Sequence, residues 1–134
     1  MSNDLQPQYS DIIFYTSSEG QVRVEVLYGG ETFWLSQKRM SELFGVEVHT
    51  INYHLKEIFK SGELHEESTI RKIRIVQQEG DREVVRMVDF YNLDAIIAVG
   101  YRVNSYQATQ FRIWATKTLR EFIIKGFVLD DERL

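Results

Sequence analysis

An α+β domain is predicted by three features of this sequence. Hydrophobic residues alternate with period two early in the chain and again after residue 69, helical spacing fills residues 36–59 and 93–125, and glycine-containing turns separate these stretches. The 134 residues suit a single domain, because a second independent core of ordinary size would not fit. Residues 1–11 read as a flexible polar lead and residues 12–134 as the domain.

The elements follow in order. Ile12-Ile13-Phe14-Tyr15-Thr16 is β-branched and aromatic, and Ser17-Ser18-Glu19-Gly20 supplies turn residues, which predicts a strand entering a hairpin. The return arm Gln21 to Tyr28 places Val22, Val24 and Val26 on one face and Arg23 and Glu25 on the other. Gly29-Gly30-Glu31 turns into a third strand, Thr32-Phe33-Trp34-Leu35, completing a β-meander. Ser36 suits an N-cap for a helix whose Met40, Leu43 and Phe44 share a face, and Gly45 stops that helix. A second helix is expected over Val48–Phe59, with Val48, Ile51, Leu55, Ile58 and Phe59 as its buried stripe, ending at Ser61-Gly62.

From Thr69 the period returns to two. Ile70, Ile73 and Ile75-Val76 are interspersed with Arg71, Lys72 and Arg74, and Glu83 to Phe90 forms the opposite arm of a hairpin with Glu79-Gly80-Asp81 at its tip. Asn92 and Asp94 open a helix reaching about Val103, and Asn104-Ser105 begins the longest one, reaching about Lys125 with Gly126 as its C-cap. Phe111, Trp114, Ala115, Thr118, Phe122 and Ile123 are its helically spaced stripe.

Composition narrows the chemistry. The chain has no cysteine, so disulfides, thiolate catalysis and Cys-based zinc sites are excluded. No run approaches the roughly 18 consecutive apolar residues of a membrane span, and Met1 to Pro7 lacks the parts of a secretory signal, so a cytoplasmic protein without a membrane partner is expected. His49 and His54 lie five residues apart, which turns them about 140° from each other on a helix, so they do not form a metal-binding pair. With no Gly-rich phosphate loop, nucleophile elbow or nuclease-type acidic motif, the expectation is no enzyme, no metal, no cofactor and no small-molecule substrate.

The motif pointing to function runs from Gln37 to Lys56. A helix-turn-helix needs a small residue within its first helix, a glycine able to take positive φ in the turn, and apolar residues that lock the angle. Ser41, Gly45 and the set Met40, Phe44, Val46, Ile51 and Leu55 stand at those places. If the second helix enters the major groove, Glu47, His49, Thr50, Asn52, Tyr53 and Lys56 are its outward residues, with Asn52 suited to adenine and Thr50 and Lys56 to phosphates. Gln37 and Lys38, opening the first helix, join this DNA-binding set. The alternative is a helical hairpin that contributes only core, or whose outward face meets another protein.

The later hairpin stands where a winged helix carries its wing. Arg71, Lys72, Arg74, Arg82 and Arg86 lie on its two strands, and Arg71 and Arg74 are taken as phosphate contacts. Glu79, Asp81, Glu83 and Asp89 are interleaved with them, so cross-strand ion pairs on a solvated sheet are the competing reading. The aromatic stripe of the last helix suits either core packing or the seam of a homodimer.

The run Tyr91-Asn92-Leu93-Asp94-Ala95-Ile96-Ile97-Ala98-Val99-Gly100-Tyr101-Arg102-Val103-Asn104-Ser105, continued by Thr109-Gln110-Phe111-Arg112-Ile113-Trp114-Ala115-Thr116, resembles the RhuM family of bacterial virulence-associated proteins. Phe33 to Gln37 and Gly126 to Leu134 share the resemblance. The Phe-Arg-x-Trp-Ala-Thr helix also resembles the Bro-N type amino-terminal domains of phage antirepressors. The resemblance implies a virulence, prophage or mobile-element setting and carries over no catalytic residue. It also implies that this chain is the amino-terminal part of a longer protein, since similar proteins continue with further helical sequence.

The expected fold is therefore a winged-helix-like α+β domain with an N-terminal β-meander, a helix-turn-helix, a β-hairpin and two C-terminal helices. The expected function is sequence-specific binding of double-stranded DNA in transcriptional regulation, and the alternative is an antirepressor-like protein-interaction module. A net charge of −4 does not oppose DNA binding once it is resolved by position. Residues 1–35 hold one cation and five acids, residues 36–126 fourteen and twelve, and residues 127–134 one and three, so the acidity sits at the two ends.

Overall fold

The computed structural model describes residues 11–133, with the side chains of Ile123 and of residues 125–133 outside the description. The expected flexible lead thus lies almost wholly outside the described residues. The domain is mixed α+β, in the order β1 (Asp11–Thr16), β2 (Arg23–Gly29), β3 (Thr32–Ser36), α1 (Gln37–Phe44), α2 (Val48–Lys60), α3 (Glu66–Thr69), β4 (Ile70–Glu79), β5 (Arg82–Asn92), α4 (Leu93–Val103) and α5 (Ser105–Arg133).

Turn chemistry sets the strand registers. Gly29 pairs with Thr32, leaving a two-residue turn in which Gly30 and Glu31 both take positive φ, 58° and 65°, matching the twist that a tight hairpin needs. At the second hairpin Glu79 pairs with Arg82, so the tip is Gly80-Asp81, with Gly80 at φ 65°. The five strands form one antiparallel sheet in the order β1-β2-β3-β5-β4. The later hairpin is therefore not a separate wing. Trp34, Leu35 and Ser36 of β3 pair with Asn92, Tyr91 and Phe90, which makes the hairpin an extension of the meander's sheet.

One face of the sheet carries the core. Tyr15, Val24, Val26, Phe33, Leu35 and Tyr91 alternate inward and bury against Met40, Leu43 and Phe44 of α1, Ile51, Leu55 and Ile58 of α2, and residues of α4 and α5. The aromatic stripe of α5 belongs to this layer: Trp114 stacks on Phe33 at 5.0 Å, Phe111 meets Tyr15 edge-on at 5.1 Å, and Phe122 meets Tyr28 at 4.8 Å. Those rings face their own sheet, so they do not supply a seam for a second copy.

Two boundaries differ from expectation. Val48 is 42% exposed rather than part of the α2 stripe, because Ile51, Leu55 and Ile58 already fill the face turned to the core. The last helix runs through Gly126 to Arg133 instead of ending there. A glycine within a helix costs only about 1 kcal/mol relative to alanine, and no proline follows to stop the chain. The short α3 has no counterpart in the sequence reading, since four residues are too few to show a period.

Candidate nucleic-acid interface

The helix pair is built as its sequence requires. Ser36 Oγ accepts a hydrogen bond from the Arg39 amide at 3.2 Å, and Gly45 closes α1 in the left-handed region at φ 71°, its amide donating to the Ser41 carbonyl. That glycine lets the chain reverse within a few residues and start α2 at Val48. Ser41 Oγ donates to the Lys38 carbonyl at 2.7 Å and so makes no demand on the crossing helix.

The turn is held from outside by the α4–α5 junction. Asn104 Nδ2 donates to the Phe44 carbonyl at 3.1 Å, and Asn104 Oδ1 accepts from the Gln107 amide at 3.2 Å, so one side chain ties the end of α1 to the start of α5. Gly100 lies beside Phe44 and Ala108, where a Cβ would come within 2.6 Å of the ring. At the other end of α2, Arg102 pairs with Glu63 at 2.6 Å.

On α2, Glu47, His49, Tyr53 and Lys56 are exposed, and Thr50 and Asn52 are half-buried. Lys38 is exposed on α1, and Lys60 joins Lys56 one turn further along α2. None of these three lysines has an ion-pair partner among the described residues. Lys60 was missed by the sequence reading, although its spacing from Lys56 was visible.

Gln37 is the joint of the site. Its Nε2 donates to Asn52 Oδ1 at 3.2 Å and to the Tyr91 hydroxyl at 3.1 Å, linking α2 to β5 through the first residue of α1. Asn52 is thereby oriented while its amide nitrogen and one carbonyl lone pair stay available. Burial pushes the Tyr91 hydroxyl above the ordinary tyrosine range, opposed by the hydrogen bond from Gln37, so Tyr91 is a neutral acceptor here. Tyr91 was not singled out from sequence because only the fold brings it to residues 37 and 52.

The hairpin cations divide. Lys72 pairs with Asp89 directly across the strands at 2.8 Å, and Arg86 grips both Glu79 oxygens at 2.9 and 3.0 Å. The hydrogen bond from Arg86 holds the Glu79 carboxyl below its usual value, and that to Asp89 raises the Lys72 ammonium. Arg71 and Arg74 are an odd number of residues apart and so lie on opposite faces of β4. Arg74 shares the helix-bearing face with Tyr91's side of the hairpin and has no ion pair among the described residues. Arg71 turns to the open face, where it lies over Trp34 at 5.7 Å and donates to the Glu67 and Ile70 carbonyls. Gln37 thus bonds to Asn52 of α2 and lines one hollow together with Lys38 and Arg74, and Arg71 is not part of that lining.

A hollow of about 650 Å³ opens at the end of β3, lined on its apolar side by Ile12, Leu27, Ile73, Ile75 and Phe90 and on its polar side by Gln37, Lys38, Arg74 and the Arg39–Glu25 ion pair. Among the described residues no group of three His, Asp or Glu side chains is placed to hold a metal, and no helix is long and apolar enough to cross a membrane.

Residues 68–134, half of the chain, match the model of the virulence protein RhuM family. The chain belongs to that family. No curated protein and no solved structure matches it. The RhuM match covers the β4–β5 hairpin, α4 and α5 and stops short of α1 and α2. Asn92, Gly100 and Asn104, which cap α4, admit Phe44 and tie the turn, all lie inside it. The RhuM segment is therefore the platform on which the helix pair is mounted.

Proposed function

We propose that this RhuM-family domain binds double-stranded DNA through α2 and acts in transcriptional control in a virulence or mobile-element setting. The observation that carries the reading is the Gln37 bridge, which preorganises Asn52 on a helix whose outward side bears His49, Tyr53 and Lys56, all exposed among the described residues. Asn52 and His49 would meet base edges, and Lys38, Thr50, Lys56 and Arg74 phosphates, with Glu47 and Tyr53 flanking them. The domain is assigned no catalysis.

Selection from random duplexes followed by sequencing tests this directly. The expected result is an enriched motif, with affinity falling steeply as salt rises and Lys56→Ala flattening the salt slope by about one unit. A competing reading, an antirepressor-like protein-interaction module, is favoured by the apolar side of the hollow at the end of β3. No binding to any duplex at low salt would leave that reading in possession.

A further inference from the structure

Phe90 is the last β5 residue paired with β3, so from Asp89 and Lys72 to the tip the hairpin projects beyond β3 and Lys72–Glu79 pair only with β5. This arm reaches roughly 25 Å at the usual rise of a strand. Its helix-bearing face carries Val76, Val85 and Met87, which are 56%, 49% and 59% exposed, with Val76 directly opposite Val85 and Arg74 directly opposite Met87. Its tip is acidic, with Glu79, Asp81 and Glu83 against Arg82, and Asp81 and Glu83 have no ion pair among the described residues. The acids are concentrated at the tip, whereas Arg74 stands nearer the root of the arm.

A surface of complementary character lies on α5. Tyr106, Ile113, Lys117, Arg120 and Ile124 are all exposed and recur at intervals of seven, four, three and four residues, so they form one stripe on the side away from Phe111 and Ala115. Lys117 and Arg120 also lack ion pairs among the described residues. The arm cannot use the stripe of its own chain: α5 packs on Tyr15, Tyr28 and Phe33 of β1 to β3, whereas the arm leaves from the opposite edge of the sheet. Two α5 stripes would set Lys117 and Arg120 of one copy against the same cations of the other.

We propose that the distal β4–β5 hairpin of one copy docks on the outer α5 stripe of a second copy, Val76, Val85 and Met87 against Tyr106 and Ile113, and Glu83 against Lys117 and Arg120. A two-fold axis makes the contact twice, burying both arms and both stripes together. The contact rests on the arm and α5 alone and does not depend on DNA binding.

The test is made without DNA and exploits the absence of native cysteine. A tagged copy carrying Val85→Cys is mixed with an untagged copy carrying Ile113→Cys and mildly oxidised. The expected product is the mixed covalent dimer, in excess over either symmetric one. Sedimentation then compares charge variants: Glu83→Lys should weaken dimerisation about tenfold or more, and Lys117→Glu in the same chain should restore it. A monomer at high micromolar concentration, a predominant Ile113→Cys symmetric dimer, or indifference to Glu83→Lys would each overturn the proposal. All four positions are exposed, so loss of folding is not expected, and circular dichroism confirms it.

Discussion

Replacing Gly100 by alanine tests how firmly the α1–α2 helix pair is seated. The new Cβ would lie 2.6 and 2.8 Å from Phe44 Cζ and Cε1 and 2.7 Å from Ala108 Cβ, so it meets two different helices at once. Phe44 and Ala108 are both buried, and the alanine methyl has no rotamer with which to withdraw. Overpacking of this kind costs about 1–3 kcal/mol, while alanine recovers about 1 kcal/mol of helix propensity over glycine. Because one of the clashing atoms is fixed to the α5 backbone, the strain falls in the upper part of its range and the net loss is about 1–2 kcal/mol. In a domain of this size that lowers Tm by about 3–10 °C. Urea unfolding followed by circular dichroism should show a reduced midpoint at unchanged slope, and combining Gly100→Ala with Ala108→Gly should recover part of the loss. A Gly100→Ala protein as stable as the parent would refute the reasoning, since α1 and α5 would then be yielding freely around the turn.

Other expectations follow from single contacts. Asn104→Ala removes both the α5 cap and the bond to the Phe44 carbonyl and should cost about 2 kcal/mol, whereas Asn104→Asp keeps the cap acceptor and should cost about half as much in the same unfolding assay. Glu31→Gly relieves a left-handed non-glycine residue and should raise stability by about 1 kcal/mol, seen as a higher Tm. Tyr15, Tyr28 and Tyr91 are held neutral chiefly by burial, so their folded pKa values lie above the unfolded ones. Their contribution to stability is complete below about pH 10 and is lost as pH rises through the folded values, so urea midpoints should fall in that window and fall less in Tyr91→Phe. Tyr101, whose hydroxyl is shifted down by Arg112, works weakly in the opposite direction, and a rising midpoint would contradict the burial argument.

The caps and turns were legible because each acts within a few residues. Ser36, Asn92, Gly45 and Gly80 stop or start elements through their own side chains or backbone freedom, and the structure places all four where the pattern put them. The outward residues of α2 were legible for the same reason, helical period being a local property. The α5 aromatics were legible as a stripe, but whether they faced a sheet or a second copy was not, because both bury the same rings.

The sequence by itself determined the class of the domain, the residues of the α1–α2 helix pair and the family, since propensity, capping and period are written into short stretches of chain. Only the tertiary structure decided that the hairpin continues the meander's sheet and that Gln37 joins Asn52 to Tyr91. Those outcomes depend on residues 54 or more positions apart choosing each other, as Leu35 does Tyr91 and Gln37 does Tyr91. The choice is made by which faces must leave water together when the whole core closes, a condition that no local stretch of sequence contains.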